Sequence, residues 1–225
     1  MKYLLLFSLI ILMACSSKTE KEALPIQAKL PPINIPKSDT TTIVSRLFKD
    51  LSYIYNYQLT YTTKIKRKQP YYSHRNVEVF DKKTGNRVDS LGLEVPDIMS
   101  FAENIDDARS YITGKDKNKG MVDNYAGDFV VADLNFDGRE DFAIPTHSGA
   151  SVGPYSTFFV QGNDGKFTKD AFLTDSVEFF PNKIYPEKRM LLTLVHATAY
   201  SVGEHKYVLN NKGQWHQISH RFLGE

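Results

Sequence analysis

The chain has 225 residues, and its 28 Lys and Arg residues against 26 Asp and Glu residues give a formal net charge of +2. This near balance disfavours nucleic-acid binding, which requires a strongly basic face. There is one cysteine, and no cysteine cluster, Gly-rich phosphate loop or dinucleotide fingerprint occurs, which argues against the common nucleotide-binding and metal-cluster classes.

Residues 1–14 predict a signal peptide, because one Lys precedes an apolar run that is too short to span a membrane comfortably. Leu12, Met13, Ala14 and Cys15 then resemble the bacterial lipobox, which implies cleavage before Cys15 and attachment of lipid to its sulfur. Several acyl chains would make such an anchor effectively permanent. Cleavage by an ordinary signal peptidase is the alternative.

The residues after the cysteine predict location and tethering. Ser16 and Ser17 follow with no Asp at the next position, which in Gram-negative lipoproteins implies the outer membrane, facing either the periplasm or the cell surface. Residues 15–38 are rich in proline, carry mixed charges and lack an apolar period, so they predict an extended lipidated tether. Residues 39–225 are left for a single domain.

The first part of this domain predicts one helix and one long strand. Apolar residues recur at helical spacing behind a cap at Ser38 or Asp39, at positions Ile43, Val44, Leu47, Phe48 and Leu51. The period then becomes two, with Tyr53, Tyr55, Tyr57, Leu59, Tyr61, Thr63 and Ile65 at the odd positions. This alternation predicts a strand with one apolar face, whose tyrosines pack in the core or, alternatively, bind a ligand.

Three segments predict β-hairpins, because β-rich runs flank short turns that contain Gly85, Gly165 or Gly213. Residues 97–112 interrupt the strand pattern and predict a short helix that ends before Gly114. Its apolar positions are Ile98, Phe101, Ala102, Ile105, Ala108 and Ile112. The expected fold is therefore mainly β, with one or two short helices near the N-terminal half.

The stretch DLNFDGRED has the spacing of a calcium-binding loop. Asp133, Asn135 and Asp137 occupy positions 1, 3 and 5, a glycine follows at position 6, and Asp141 stands at position 9. Such spacing lets a short chain wrap oxygen ligands around Ca²⁺, and the carbonyl of Arg139 supplies position 7. The closing Glu of an EF-hand is missing, and the loop runs into an apolar strand. An Asx-rich turn is the alternative.

The C-terminal part contains a weak internal repeat. His147 aligns with His196, Val152-Gly153 with Val202-Gly203, and residues 163–167 with 211–215, at offsets of 49, 50 and 48 residues. A period near 50 with a glycine hairpin in each unit is typical of β-propeller blades. The repeat predicts a propeller-like arrangement of antiparallel hairpins.

The Asp-rich loop also resembles the calcium motif of FG-GAP and VCBS repeat proteins, and its single copy implies a truncated rather than a complete propeller. The last 98 residues, from Asp128, are similar to small bacterial envelope proteins that have been linked to lysozyme inhibition. The resemblance implies that Ca²⁺ is held by Asp133, Asn135, Asp137, the carbonyl of Arg139, and Asp141. It further implies a partner-binding loop at residues 146–155 and an equivalent loop at residues 196–205.

In these loops His147, Ser148, Tyr155 and Tyr200 are the candidates for contacting a partner. A rigid polar loop of this kind is suited to the paired carboxylates of a glycoside hydrolase. An ordinary inter-strand connection is the alternative. We also expect the calcium loop to fix the shape of residues 147–155, which follow it.

Catalysis has less support in the sequence. Ser148 is adjacent to His147, but neighbouring residues of an extended chain point to opposite faces, and no nucleophile elbow surrounds the serine. His216 and His220 are predicted to share a strand face about 13 Å apart, too far to chelate one ion. His196 and His205 lack a known ligand spacing. The acidic residues Glu103, Asp106, Asp107, Asp175 and Glu178 do not single out a glycosidase pair.

Together these features predict a noncatalytic, calcium-stabilised envelope lipoprotein that binds a protein or glycan partner. Lysozyme inhibition is the most specific version of this hypothesis. The alternatives are a cell-surface hydrolase that acts on glycans and a purely structural lipoprotein.

Overall fold

The computed structural model describes residues 40–66, 69–95, 105–117, 129–147, 154–197 and 201–223, all within the unit Pro36–Glu225. The signal peptide, Cys15 and the tether lie outside these residues. Among the described residues, no helix is long and apolar enough to span a membrane.

The described residues form three sheets, and this confirms the prediction of a mainly β fold. Sheet 1 contains β1 (Thr40–Phe48), β2 (Tyr55–Lys66), β3 (Gln69–Asp81) and β4 (Arg87–Val95) in that order, all antiparallel. Sheet 2 contains β5 (Ala108–Ser110), β6 (Phe129–Ala132), β7 (Asp141–His147), β8 (Tyr155–Gln161) and β9 (Phe167–Lys169). Sheet 3 contains β10 (Lys183–Tyr185), β11 (Met190–His196), β12 (Val202–Leu209) and β13 (Trp215–Leu223). Only the short β5 is parallel to its neighbour β6.

The predicted helix at residues 43–51 is wrong, because this segment forms the edge strand β1. It pairs with β2 along its whole length, from Thr40 opposite Ile65 to Phe48 opposite Tyr57. Its first residues are three threonines, an isoleucine and a valine, and such β-branched side chains favour strands over helices. Ile43 remains 65% exposed, so no apolar helical face is being buried.

The alternating pattern of β2 is confirmed. Tyr57, Leu59 and Tyr61 are buried on one face of the strand, while the even positions between them are half-buried. The tyrosines at these positions therefore pack in the core. Tyr53 lies before the strand and is 72% exposed.

The second predicted helix is wrong over residues 105–112. Ile105 lies in a turn, residues 108–110 form β5, and residues 111–113 form another turn. The amide of Tyr111 donates to the carbonyl of Val131, so this segment satisfies its backbone against sheet 2 rather than within a helix. Ile98, Phe101 and Ala102 lie outside the described residues. The two helical turns that the structure describes, Leu173–Val177 (π) and Pro186–Lys188 (3₁₀), lie in the C-terminal half.

All three predicted hairpins are confirmed. Gly85, Gly165 and Gly213 lie in the turns β3–β4, β8–β9 and β12–β13, with φ of 72°, 79° and 73°. Glycine adopts this left-handed conformation without the steric cost that a Cβ would add.

The repeat corresponds to equivalent strands in two sheets. His147 ends β7 and His196 ends β11, while Gly165 and Gly213 follow β8 and β12. In each case four consecutive strands, β6–β9 or β10–β13, form an antiparallel series in chain order. Val152 and Gly153 lie outside the described residues.

Sheet 2 packs against both of its neighbours. On one side, Tyr57, Phe129, Phe142 and Phe167 belong to a core shared with sheet 1. On the other side, sheet 2 shares a second core with the π-helical turn and with sheet 3. This second core contains Leu134, Phe158, Leu173, Leu191 and Tyr207. The sheets are therefore stacked face to face, with sheet 2 in the middle.

Candidate functional site

The predicted calcium loop connects β6 to β7 and turns around the side chain of Asp133. Its Oδ1 accepts a hydrogen bond from the amide of Asp137 at 3.1 Å, and its Oδ2 accepts one from the amide of Gly138 at 2.9 Å. Gly138 has a φ of 83°, which explains why the turn requires glycine at position 6. The local bend predicted from the spacing is present.

Asn135 and Asp137 lie on the same side of this turn. Asn135 Oδ1 also accepts the amide of Asp137, at 3.1 Å, and its Nδ2 donates to Asp137 Oδ2 at 2.8 Å. Since one amide is shared by the carboxylate of Asp133 and the amide oxygen of Asn135, the oxygens at positions 1 and 3 converge.

The side chain of Arg139 extends from the loop to the β8–β9 turn. Its Nη2 donates to Asp137 Oδ2 at 2.5 Å, its Nε to the carbonyl of Gln161 at 2.8 Å, and its Nη1 to Asn163 Oδ1 at 2.8 Å. The guanidinium therefore neutralises Asp137 and joins two consecutive turns of sheet 2.

Asp141 differs from the other candidate ligands because it is fully buried. Its Oδ2 accepts the amides of Leu134 at 2.8 Å and Asn135 at 3.2 Å, and its Oδ1 accepts the amide of Gln161 at 2.9 Å. Burial raises the pKa of Asp141 to about 7 even though these amides favour its charged form. Burial also raises the pKa of Asp133.

The chemistry of these donors fits calcium, since hard cations bind carboxylate and amide oxygens. Asp133, Asn135 and Asp137 present such oxygens on one side of the turn, whereas Asp141 is directed into the sheet. The hydrogen bonds are those of an Asx-rich turn, and no group of three His, Cys, Asp or Glu side chains in the described ranges is arranged to hold a metal. Ca²⁺ binding stays a prediction, and an ion at Asp137 Oδ2 would compete with the guanidinium of Arg139.

The predicted partner-binding residues lie at the other end of β7. His147 is exposed at the end of this strand and is paired with Tyr155, the first residue of β8. Their rings meet edge to face with centroids 5.5 Å apart, and Tyr155 also contacts Phe179 at 4.7 Å. We refer to these three residues as the aromatic edge. Ser148 and Tyr200 lie outside the described residues.

The calcium loop does not adjoin the aromatic edge. Asp141 and His147 are the two ends of β7, so about 20 Å of extended strand separates them. Any effect of the loop on residues 147–155 would therefore have to pass along β7, and the expectation that it fixes their shape stays a prediction.

A cleft of about 360 Å³ opens beside the aromatic edge, between the residues after the π-helical turn and one face of sheet 3. Its lining consists of Tyr155, Ser176, Val177, Glu178, Phe179, Thr193, Val195, His205, Tyr207, Gln217 and His220. Glu178 is the one carboxylate residue in this lining, so the described cleft does not provide the carboxylate pair of a glycosidase.

The remaining acidic candidates are dispersed. Asp106 forms an exposed ion pair with Arg46, and Asp175 pairs with Lys169. Burial and, to a smaller extent, the charge of Asp175 raise the pKa of Glu178, but Asp175 does not line the cleft. Asp107 lies just before β5, and Glu103 lies outside the described residues.

No local sequence pattern indicates this cleft, because the register of the strands creates it. His205 lies opposite His220 on the neighbouring strand, and their rings stack with centroids 4.3 Å apart. A register shift between Lys206 and Tyr207 leaves Ile218 as an extra residue in β13. This bulge brings His220 and Gln217 to the cleft.

The prediction that His216 and His220 share a strand face is wrong for the same reason. A bulge of one residue reverses the alternation of side chains along a strand. His216 lies opposite Val208 and contacts the Asn210 side chain at 3.0 Å, while His220 faces the cleft.

No protein-family model and no curated protein sequence matches the chain. Among solved structures, a Xanthomonas type IV secretion system related protein is similar with a TM-score of 0.47 and 14% sequence identity, over 81% of this chain and 82% of that chain. A similarity at this level supports no inference about function.

Proposed function

We propose that the protein is a noncatalytic envelope lipoprotein, anchored to the outer membrane through Cys15, whose β domain binds a protein or glycan partner. The observation that carries the proposal is the aromatic edge. His147 and Tyr155 form a ring contact at an end of sheet 2, and aromatic side chains with one polar end are enriched in recognition surfaces.

Lysozyme inhibition is the most specific form of this proposal. It is supported by the resemblance of residues 128–225 to envelope proteins linked to that activity. It is also supported by two consecutive antiparallel series of four strands, β6–β9 and β10–β13, which suit a truncated propeller. In this form, the aromatic edge and the loop that contains Ser148 contact the enzyme's cleft.

The test is turnover of peptidoglycan by chicken, goose and invertebrate lysozymes, with the purified full chain at stoichiometric concentration. We expect at least one enzyme to be inhibited and the double variant His147→Ala, Tyr155→Ala to inhibit at least tenfold less. Tyr53→Ala is the matched control, since this tyrosine is 72% exposed away from the aromatic edge. If none of these enzymes is inhibited, the lysozyme form of the proposal is refuted. If a pull-down captures a partner equally well with the wild-type protein and with the double variant, the aromatic edge does not bind that partner.

Calcium is the proposed stabilising ligand, held by Asp133, Asn135, Asp137, the carbonyl of Arg139, and Asp141. The support is the convergence of the first two oxygens on one amide. If Ca²⁺ binds only the folded state, a hundredfold excess over its dissociation constant adds about 2.7 kcal/mol to the free energy of unfolding. EDTA should then lower the melting temperature, and Asp137→Ala should remove most of this sensitivity. An identical melt with and without EDTA would refute calcium binding.

A further inference from the structure

The cleft beside the aromatic edge has an unbalanced negative charge. Glu178 is the one acidic residue in its lining, and the lining contains no Lys or Arg. Successive residues of a strand point to opposite faces, so Lys206 and Arg221 lie on the other face of sheet 3. There they contact Glu204 at 3.1 and 2.7 Å. The nearest cations on these strands therefore do not neutralise the cleft.

The backbone holds Glu178 firmly in this position. Its φ of 63° and ψ of −44° form a backbone conformation that is uncommon for a residue with a side chain. Its amide donates to the carbonyl of Leu173 at 2.9 Å, and its carbonyl accepts the amide of Ser156 at 2.7 Å. Contacts with both the π-helical turn and β8 thus maintain the strained backbone, which is a recurrent property of functional positions.

The Glu178 carboxylate lies near two phenols and is not paired with a base. Glu178, Tyr155 and Tyr207 all line the same cleft. Burial raises the pKa of both Tyr155 and Tyr207, and the charge of Glu178 raises it further. Within the described part of the chain the Glu178 carboxylate makes no hydrogen bond or ion pair. Its own pKa is raised by burial and by Asp175, and a bound cation would offset this cost.

The imidazole of His205 does not supply the missing positive charge at neutral pH. Burial and the neighbouring His220 lower the pKa of His205. His205 Nδ1 lies 3.2 Å from the Gln217 amide nitrogen. This contact suits a neutral ring that accepts a hydrogen bond.

We propose that this cleft binds an organic cation, a guanidinium or alkylammonium group, with Glu178 as its counter-ion and the rings of Tyr155 and Tyr207 beside it. A carboxylate next to aromatic faces provides both charge pairing and cation–π attraction. A volume of about 360 Å³ accommodates an arginine side chain. This inference goes beyond the proposed function, because it depends neither on calcium nor on lysozyme.

The experiment is calorimetric titration of the purified full chain at pH 7.5 with L-arginine amide and with L-citrulline amide. The two probes are nearly equal in shape, but citrulline carries a neutral urea in place of the guanidinium. We expect arginine amide to bind at least tenfold more tightly, as a charge-assisted hydrogen bond implies. Equal affinities, or binding of neither probe, would overturn the proposal.

Two variants test the role of Glu178. Glu178→Gln keeps the shape and should weaken arginine amide binding roughly ten- to hundredfold, whereas Glu187→Gln, on the exposed 3₁₀ turn, should leave it unchanged. Unfolding curves of both variants establish that they are folded. Retained affinity in a folded Glu178→Gln protein would overturn the assignment.

A further pair of probes distinguishes the source of the cation. Tighter binding of a blocked Gly-Arg-Gly peptide than of arginine amide supports an arginine side chain of a protein partner, while tighter binding of the free diamine putrescine supports a small amine. A neutral N-acetylglucosamine disaccharide that binds more tightly than every cation would overturn the proposal in favour of a glycan site. Lysozyme inhibition in the absence of cation binding would leave the proposed function intact and refute this inference alone.

Discussion

Arg139 provides a sharp test of the calcium loop, because its backbone and its side chain have opposite expected effects. Its carbonyl is a proposed ligand, whereas its guanidinium occupies Asp137 Oδ2 at 2.5 Å. Arg139→Ala keeps the carbonyl and removes the competitor. The variant should therefore be destabilised without calcium and partly rescued with it.

The expected magnitude follows from the three hydrogen bonds of the guanidinium. They join it to Asp137, Gln161 and Asn163. Because the side chain is 36% exposed, each bond contributes less than a buried one, and their loss should cost about 1–2 kcal/mol in EDTA. In saturating calcium, the wild-type protein must also give up the ion pair with Asp137. The deficit should then shrink by about 0.2–1 kcal/mol, the usual contribution of an exposed ion pair.

The assay is urea unfolding of wild type and variant, each in EDTA and in calcium, with the m-values compared. Arg87→Ala is the control, because Arg87 forms an exposed ion pair with Glu78 at 2.8 Å in sheet 1. Its deficit should be the same in both conditions. If Arg139→Ala has an equal or larger deficit in calcium, the guanidinium does not compete with the ion.

Three further outcomes are expected. In EDTA, the native pKa of about 7 for Asp141 exceeds the ordinary value of 3.8, so the folded state binds more protons between these values. The corresponding stability is complete below about pH 4 and is lost as pH rises through 7. In urea unfolding, Asp141→Asn should reduce this fall in the free energy of unfolding between about pH 4 and 7. An unchanged pH dependence would contradict the raised pKa of Asp141. Gly165→Ala should lower the free energy of unfolding by about 1 kcal/mol, because Gly165 has a φ of 79°, which strains a residue with a Cβ. An added Cβ would meet no other atom, so the loss would come from the backbone alone, and an unchanged stability would contradict this reason. EDTA should leave arginine amide binding unchanged well below the melting temperature, and calorimetry that shows a large change would imply direct coupling between the two sites.

Local signals in the sequence were sufficient for much of the fold. The alternation through Tyr57 and Tyr61 and the glycine turns at Gly85, Gly165 and Gly213 depend on neighbouring residues, and the structure confirms each of them. The spacing around Asp133 similarly predicted the bend that the structure shows.

The predictions that were wrong or missing concern features that residues distant in the sequence determine. Apolar residues at positions 43, 44, 47 and 48 fit a helical period, but pairing with β2 decides that they form a strand. Likewise, no local pattern indicates that His205 and His220 meet across two strands, or that an extra residue at Ile218 brings His220 to the cleft. Glu178 was identified only as one of several acids, because its relation to the two phenols depends on the packing of the π-helical turn against sheet 3.

The positions of the two candidate sites limit how calcium could influence recognition. Asp141 binds the amide of Gln161 at the last residue of β8, whereas Tyr155 is the first residue of that strand. The strands between these points are buried and paired, with Phe142 opposite Phe159 and His147 opposite Tyr155. An ion at one end would therefore stabilise the pairing of β7 with β8, and thereby the population of folded domains, rather than change the local shape of the aromatic edge. On this basis, calcium would influence recognition through the stability of sheet 2, while the proposed role of the Glu178 charge is to select the chemical group that the cleft accepts.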